Sequence, residues 1–591
     1  MNGVAHNANK ETQVISPRHP RKLLAIACLA IAPMTFAGPD KSIELEFLSS
    51  YVQPDPAAAF DESAAEIVAF DKRSERLFVT NGNDKTIDII SISDPAAPVL
   101  VGSINVTNNP DFGSFVGGGA NSVAVYKGLV AVAVENDTVT DPGRAAFFDT
   151  DGKLISIVEV GALPDMITFT PKGKEALVAN EGEPDGGIDP EGSVSIIHLD
   201  DGAENAWVST ADFNDFDGYA DELRDDGVRL FPEVAIPPLV EGQITVSQDL
   251  EPEYIGVDSK GRTAYVTLQE ANALAIVDIK GGEVVDIVSL GTKDHNTAGN
   301  GLDPSDKDDG IAIGEWPVLG MYMPDAIDCY KPKGKGKRKG KKEFCITANE
   351  GDDRGDADGD ARGDAIRFKD IGDVISFGRG GLEASSALEA LGVGEDEALG
   401  RLNISSIDGI DEEGKLDQLY SYGTRSFTIW DEDGERVWDS GDALEQITAE
   451  AFPEYFNASN DANEDDGMPA IDDRSDNKGP EPEAVTISKI RGEYYAFIGL
   501  ERIGGFVVYN VSDPEDPFFV LYENTRDFSA GNDLVEAGLA GDFGPESILV
   551  IEKKDSPLKG TALVVVANEV SGSTTIYALE ELKKGKGKDN K

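Results

Sequence analysis

The sequence predicts an all-β fold: a single β-propeller of seven or eight four-stranded blades, interrupted by long acidic loops. Three observations predict it. Short runs alternate apolar and polar residues and are bounded by Gly, Asn and Ser, as in Pro252 to Ile279, PEYIGVDSKGRTAYVTLQEANALAIVDI. That is the pattern of half-buried strands joined by tight turns. The unit recurs at Leu163, Gly479 and Phe543, and a repeat made of strands alone points to a radial or stacked β array. Finally, 64 Gly and 30 Pro among 591 residues supply turns, while 40% hydrophobic residues is ordinary for a packed protein.

The chain opens on a segment outside the fold. Arg18, Arg21 and Lys22 precede LLAIACLAIAPMTFA, an apolar run that contains Cys28, is broken by Pro33 and is too short to span a bilayer. Thr35-Phe36-Ala37 then offers a small-residue cleavage site before Gly38. Residues 1–37 therefore read as a secretory signal peptide, which places the mature chain outside the cell, in the periplasm or on the cell surface, without a transmembrane segment.

Residues 43–580 hold the propeller. Ile43 to Tyr51, IELEFLSSY, is a strand placed to complete the last blade and close the ring. Eight segments then match the unit, beginning at Ala64, Ala120, Leu163, Pro252, Met323, Leu419, Gly479 and Phe543. The sixth, LYSYGTRSFTIWDEDGERVWDSG, is the most divergent, and merging it with its neighbour gives seven blades. Acidic insertions at Asn205–Gln248, Lys293–Pro317, Gly351–Arg401 and Asp461–Lys478 separate the blades, with short helices expected in the first and third. Two segments have the opposite charge: KPKGKGKRKGKK at 331–342 and the tail at 583–591. Gly and Lys alone cannot pack, so both are expected to be disordered. They read either as solvated tips or as hooks for an anionic surface.

The formal charge of −58 excludes general affinity for nucleic acid, because phosphate and protein repel. It fits cation binding. The expected partner is an extracellular protein or polysaccharide, and the chain is expected to act as a monomer. Without the leader, two cysteines remain. Cys329 and Cys345 flank the Lys-rich turn as cross-strand neighbours. In an oxidising compartment they are expected to form a disulfide, the alternative being two buried thiols.

The chemistry is expected at one face. An acidic or amide residue stands where the first strand of each unit starts: Glu66, Asn121, Asp165, Glu253, Asp325, Glu483 and Glu546. Another stands where the second strand ends: Asn81, Glu135, Glu181, Glu270, Glu350, Glu501 and Glu569. Antiparallel neighbours put these two positions at the same blade edge, so both sets converge as rings around the central channel. Crowded carboxylates must raise their pKa values or recruit cations. Asn180, Gln269, Asn349 and Asn568 are available as donors. All-oxygen ligation favours calcium or magnesium, and His198 and His295 alone make no imidazole site. The metal candidates, with calcium as the ion, are Glu181, Glu253, Glu270, Asp325, Glu350, Glu483, Glu501, Glu546 and Glu569. Arg354, Arg425 and Arg502 are candidates for holding an anion. The competing structural reading is that each carboxylate only locks adjacent blades. The runs Asp356–Asp360 and Asp461–Asp465 alternate oxygens as calcium loops do but lack the EF-hand Gly and Glu. G-x-S-x-G, P-loop, HExxH and CxxC motifs are absent, so no catalytic nucleophile is assigned. A hydrolase here would need metal-bound water and carboxylate bases.

The strings LEPEYIGVDSKGRTAYVTLQEANALAIVDI, GMYMPDAI, ITANEGD, YGTRSFTIWD, FNASND, DNKGPEPEAV, FIGLERIGGFVVY, GPESI and VVANEVSGSTTIY resemble the choice-of-anchor I domain over nearly all of the mature chain. That family includes mesenchyme-specific cell surface glycoproteins and chains labelled alkaline phosphatase-like. The resemblance implies a secreted or surface-displayed propeller whose relatives carry varied C-terminal anchors. The run GDADGDARGDAIRFKDI at Gly355–Ile371 departs from the family's pattern. Two functions follow as expectations: an exported binding module with a calcium-type acidic face, or a calcium-dependent phosphoesterase with its site at the same mouth. Under the second, Glu253, Asp325, Glu350 and Glu483 would hold metal while Arg425 and Arg502 received phosphate.

Overall fold

The computed structural model describes residues 34–38, 42–231, 244–308, 310–332, 342–354, 363–372, 381–460, 471–535 and 537–582. Seven antiparallel sheets form the blades of a ring. Blade 1 runs through Val68–Asp71, Arg76–Asn81, Thr86–Ser91 and Val99–Asn105. Blade 2 spans residues 117–162, blade 3 164–212 and blade 4 252–289. Blade 6 uses Pro482–Ile490, Glu493–Leu500, Phe506–Asn510 and Phe518–Asn524. Blade 7 uses Pro545–Ile551, Ala562–Asn568 and Ser573–Glu581, and Ile43–Val52 completes it by pairing antiparallel with the last of these. The early strand therefore closes the ring as its position in the sequence predicts.

Blade 5 decides the number. Its inner strands are Ile327–Tyr330 and Phe344–Asn349, and its outer strands, Ser426–Asp431 and Arg436–Asp439, come from the divergent sixth unit. A long insertion splits one blade into two sequence halves, so there are seven blades rather than eight. The insertion packs its own apolar cluster, including Ile366, Phe368, Leu399, Leu402, Leu416 and Leu419. Its strand Leu419–Ser421 joins Thr292–Asp294 and Val318–Met321, from the segment before blade 5, in a small sheet. Short helices form at Ala220–Asp225 and Ser386–Glu389, as expected. A third, Ala443–Ala451, follows blade 5 and is not signalled by the strand pattern.

Each first strand is innermost and packs against the first strand of the next blade, all the way round from blade 7 to blade 1. The middle strands read almost wholly buried, as in Ala562–Asn568, because both faces meet neighbouring blades. An apolar cluster fills every one of the seven interfaces, for example Val79 and Leu77 of blade 1 against Val565 and Ile576 of blade 7, and Tyr265 and Leu274 of blade 4 against Ile327 and Trp430 of blade 5. Each such buried side chain contributes about 1.5–3 kcal/mol. Cys329 and Cys345 face each other in register and form a disulfide.

One segment departs from the sequence reading. Met34–Ala37, assigned to the leader, runs antiparallel to Phe518–Asn524 as a fifth strand of blade 6. The outer strand of a blade leaves a row of unpaired backbone groups, and this segment fills it, with Thr35 Oγ1 donating to Glu523 Oε2 at 2.5 Å. The rest of the leader, residues 333–341 of the Lys-rich turn, the basic tail from 583, and the runs at Asp356–Asp360 and Asp461–Asp465 lie outside the described residues.

Candidate functional site

Five of the seven inner strands begin with a shared local device. In blades 3 to 7 the acidic residue follows a proline: Pro164-Asp165, Pro252-Glu253, Pro324-Asp325, Pro482-Glu483 and Pro545-Glu546. Proline lacks an N–H and starts a strand without costing a ladder bond. The residue before it takes positive φ at Leu163 (42°), Met323 (42°), Glu481 (49°) and Gly544 (63°). In blades 3, 4, 6 and 7 the ladder register then shifts across the acidic residue, between Pro164 and Ile167, Pro252 and Ile255, Pro482 and Val485, and Pro545 and Ser547. A bulge at this point re-aims one side chain, and the side chain it re-aims is the acid. The second ring is tied to the first through the backbone. Glu181 N–H donates to Leu163 O, Glu501 N–H to Glu481 O and Glu569 N–H to Gly544 O, at 2.7–2.9 Å.

The result is a cavity of about 280 Å³ at one mouth of the channel. All seven first-ring residues, Glu66, Asn121, Asp165, Glu253, Asp325, Glu483 and Glu546, line it, together with Glu181, Gln269 and Glu350. Glu270, Glu501 and Glu569 stand behind the lining, near enough to act on it electrostatically. Ile67, Ser122, Met166, Tyr254 and Glu546 also line a second cavity of about 310 Å³ further along the channel, so they form the narrowing between the two.

Burial and mutual repulsion raise the carboxyl pKa values around this ring. Burial, then Glu569, pushes Glu66 up to about 8, and burial pushes Asp165 up to about 7. Glu181, Glu253, Asp325, Glu483 and Glu546 are all raised well above the carboxylate range, by burial first and neighbouring carboxylates second. Burial raises Glu270 to about 7 against the pull of Arg354. Two carboxylate trios each bring an oxygen within 4.8 Å of the other two members: Asp325, Glu483 and Glu546, and Glu350, Glu481 and Glu501. The second is already neutralised. Lys478 Nζ lies 2.5 Å from Glu350 and 3.5 Å from Glu481, Arg474 pairs with Glu481 at 2.6 Å, and Arg502 bridges Glu481 and Glu501 at 3.1 Å each. Burial opposes ionisation of Glu481, but these three cations outweigh it and hold the carboxyl well below its usual range. The first trio forms no ion pair among the described residues, and Glu483 Oε2 is buried without a hydrogen-bond partner.

The arginines divide differently from expectation. The Arg425 guanidinium donates to Asp303 O, Glu445 Oε1, Ser475 O and Asn477 O at 2.6–2.8 Å. Arg354, 3% exposed, sits 2.8 Å from Asp249 and 3.4 Å from Glu251. Both clamp protein segments together rather than face the mouth, because the insertions fold back onto them. Arg502, with 29% of its side chain exposed, stays at the rim. Among the amides only Gln269 reaches a ring carboxylate, donating to Glu350 Oε2 at 3.1 Å. Asn180, Asn349 and Asn568 hold strands within their own blades. Sequence reasoning missed Lys478, Arg474 and Glu481, which lie in the entry to blade 6; the signal was five charges packed into RSDNKGPEPE. It also passed over the proline repeated in blades 3 to 7.

A family model described as the choice-of-anchor I domain matches residues 66–514. Gigasin-3a of Magallana gigas is 31% identical over 193 residues, 32% of this chain and 66% of that protein. The mesenchyme-specific cell surface glycoprotein of Strongylocentrotus purpuratus is 29% identical over 288 residues, 46% of this chain and 36% of that protein. The matches thus span just under two thirds and about a third of these curated relatives. Among solved structures, Kuenenia stuttgartiensis hydrazine synthase is similar at a TM-score of 0.39 and 11% identity, covering 87% of this chain and 96% of that one. The WD40 domain of Toxoplasma gondii coronin is similar at 0.39 and 10% identity, covering 94% and 88%. The family model runs from the first ring carboxylate, Glu66, through the third strand of blade 6, and the chain belongs to the choice-of-anchor I domain family.

Proposed function

We propose that the protein is an exported, surface-associated binding module whose acidic mouth holds a divalent cation of the calcium type on Asp325, Glu483 and Glu546. The observation that carries this reading is the contrast between the trios: three carboxylates share a space within 4.8 Å, and no cation of the chain pairs with them among the described residues. Calcium takes six to eight oxygens at about 2.3–2.6 Å, so ligands across its shell lie up to about 5 Å apart. Hard oxygen donors without imidazole or thiolate suit that ion. Surface display is supported by the signal-like leader and by the sea-urchin relative, which is named a cell surface glycoprotein.

The phosphoesterase alternative needs arginines free to receive phosphate. Arg354 and Arg425 have their donors committed to protein acceptors, which leaves Arg502 alone at the rim. The test is a calcium titration of the purified protein, read by calorimetry and thermal unfolding, against a chelated control. A ligand at about 100 times its Kd stabilises by about 2.7 kcal/mol, so the melting temperature rises in the wild type and stays flat in Glu483→Gln. An equal rise in that variant moves the cation elsewhere, and no rise in either removes the reading.

A further inference from the structure

The arc of the mouth built by blades 3 and 4 has its own chemistry. Asp165, Glu181 and Glu253 line the cavity, yet among the described residues they form no trio with oxygens within 4.8 Å of one another. At least one pair of them is therefore set wider than the carboxylates of the Asp325, Glu483 and Glu546 trio. The charges acting most strongly on Glu181 are Asp165, Glu183, Glu251 and Glu270, and those on Glu253 are Glu270, Asp325, Glu181 and Asp165; every one is a carboxylate. Glu253 is 8% exposed, and its Oε2 is buried with no hydrogen-bond partner. A buried polar acceptor left unmatched is costly, so this wall offers an acceptor to a donor that the described residues do not supply.

The neighbouring wall shows which donor fits. There Arg502 spans two carboxylates, with Nε 3.1 Å from Glu481 Oε2 and Nη1 3.1 Å from Glu501 Oε1. A guanidinium is planar and carries five N–H groups in a fixed fork, so it bridges separated acceptors. Its alkyl stem can lie along apolar surface, which Met166, Ile67 and the Tyr254 ring provide in the same cavity. A chain carrying −58 charges also draws basic partners to itself.

We propose that Asp165, Glu181 and Glu253 form a socket for the guanidinium of an arginine presented by a partner protein. This rests on the reading of the mouth as a binding face and is independent of calcium at the trio. The experiment titrates the full-length protein, in saturating calcium and at physiological ionic strength, with a fluorescent Gly/Ser peptide carrying arginine. Counterparts carry lysine or neutral citrulline. The arginine peptide is expected to bind about ten-fold or more tighter than citrulline, with lysine between; ten-fold is about 1.4 kcal/mol. A Glu181→Gln, Glu253→Gln double variant loses about ten-fold, while Glu204→Gln, in the exposed turn between the outer strands of blade 3, keeps the affinity. Equal binding of all three peptides, or full affinity in the double variant, overturns the socket and assigns any binding to diffuse charge. Peptide binding without a calcium-induced thermal shift overturns the cation reading alone, and a calcium shift without peptide discrimination overturns the socket alone.

Discussion

Glu481 and Glu483 stand two residues apart, on either side of Pro482, and their environments drive them in opposite directions. Glu481 is wholly buried and surrounded by Arg474, Lys478 and Arg502, so its carboxyl is held far below the usual range. Glu483 turns through the strand-entry bulge into the channel and meets Glu546, Glu501 and Glu350, so burial and repulsion hold it far above. Glu481 is fully buried and Glu483 half-buried with its Oε2 shielded from solvent, and the larger difference is whether the chain supplies the counter-charge. Where it does, the cluster is a lock between segments. Where it does not, the carboxylates face the cavity without an ion pair among the described residues, and that is where the cation is proposed to sit. The blade-locking role considered for these carboxylates is therefore the role of Glu481 and its partners, while the first-ring acids face the cavity.

The largest effect separates the two glutamates by sign. Removing one partner of a buried ion pair costs about 3–5 kcal/mol, so Glu481→Gln is expected to lose that much in denaturant unfolding. Glu483→Gln replaces a carboxyl that its surroundings already disfavour ionising, and is expected to leave metal-free stability unchanged or higher while abolishing the calcium response. Similar losses from both would erase the distinction.

The next test uses pH. First-ring pKa values are raised above those of the unfolded chain, so their contribution is complete below the unfolded carboxylate range. It is lost as pH rises through the folded values, which reach about 7 at Asp165 and about 8 at Glu66. Glu481 is depressed, so its contribution is present above the unfolded value and is lost only as pH falls below the ordinary carboxylate range. Metal-free protein should therefore melt at falling temperatures between about pH 5 and 8, and calcium should flatten that slope. A metal-free melting temperature that climbs through this window would contradict the uncompensated ring.

The disulfide offers a third. It closes a 16-residue separation in blade 5, next to the strand entry that carries Asp325, and a loop of that size stabilises by about 3 kcal/mol. Cys329→Ser with Cys345→Ser should lower stability by about that amount and weaken calcium binding through Asp325, leaving the Lys478 network in place. Smallest is Gly544→Ala. A Cβ there meets Val570 Cγ2 at 2.6 Å and must hold a φ of 63°, a conformation that costs a non-Gly residue about 1–2 kcal/mol. The loss should appear in unfolding and in calcium affinity together, because Gly544 aims Glu546.

Much of this was legible in the residues. The β-branched and apolar runs TAYVTLQ and ALAIVDI, bounded by turn residues, identify strands, although in the folded blade most of their side chains are buried because both faces meet neighbouring blades. The first-ring acids are visible at fixed places in each unit, and all seven positions reach one cavity, because strand order alone fixes which end faces the axis. The fate of Arg425 was hidden, since its partners Asp303 and Glu445 lie 122 and 20 residues away. So was the merger of the fifth and sixth units, which depends on strands paired across a long insertion.

The sequence by itself determined a closed ring of β blades with acids at its axis, because period, turn residues and repeat are local properties of the chain. The tertiary structure decided which of those acids the protein neutralises for itself. Counter-charges such as Lys478 reach Glu350 across 128 residues of chain, and charge balance over such distances is set by the folded packing and not by neighbours in sequence.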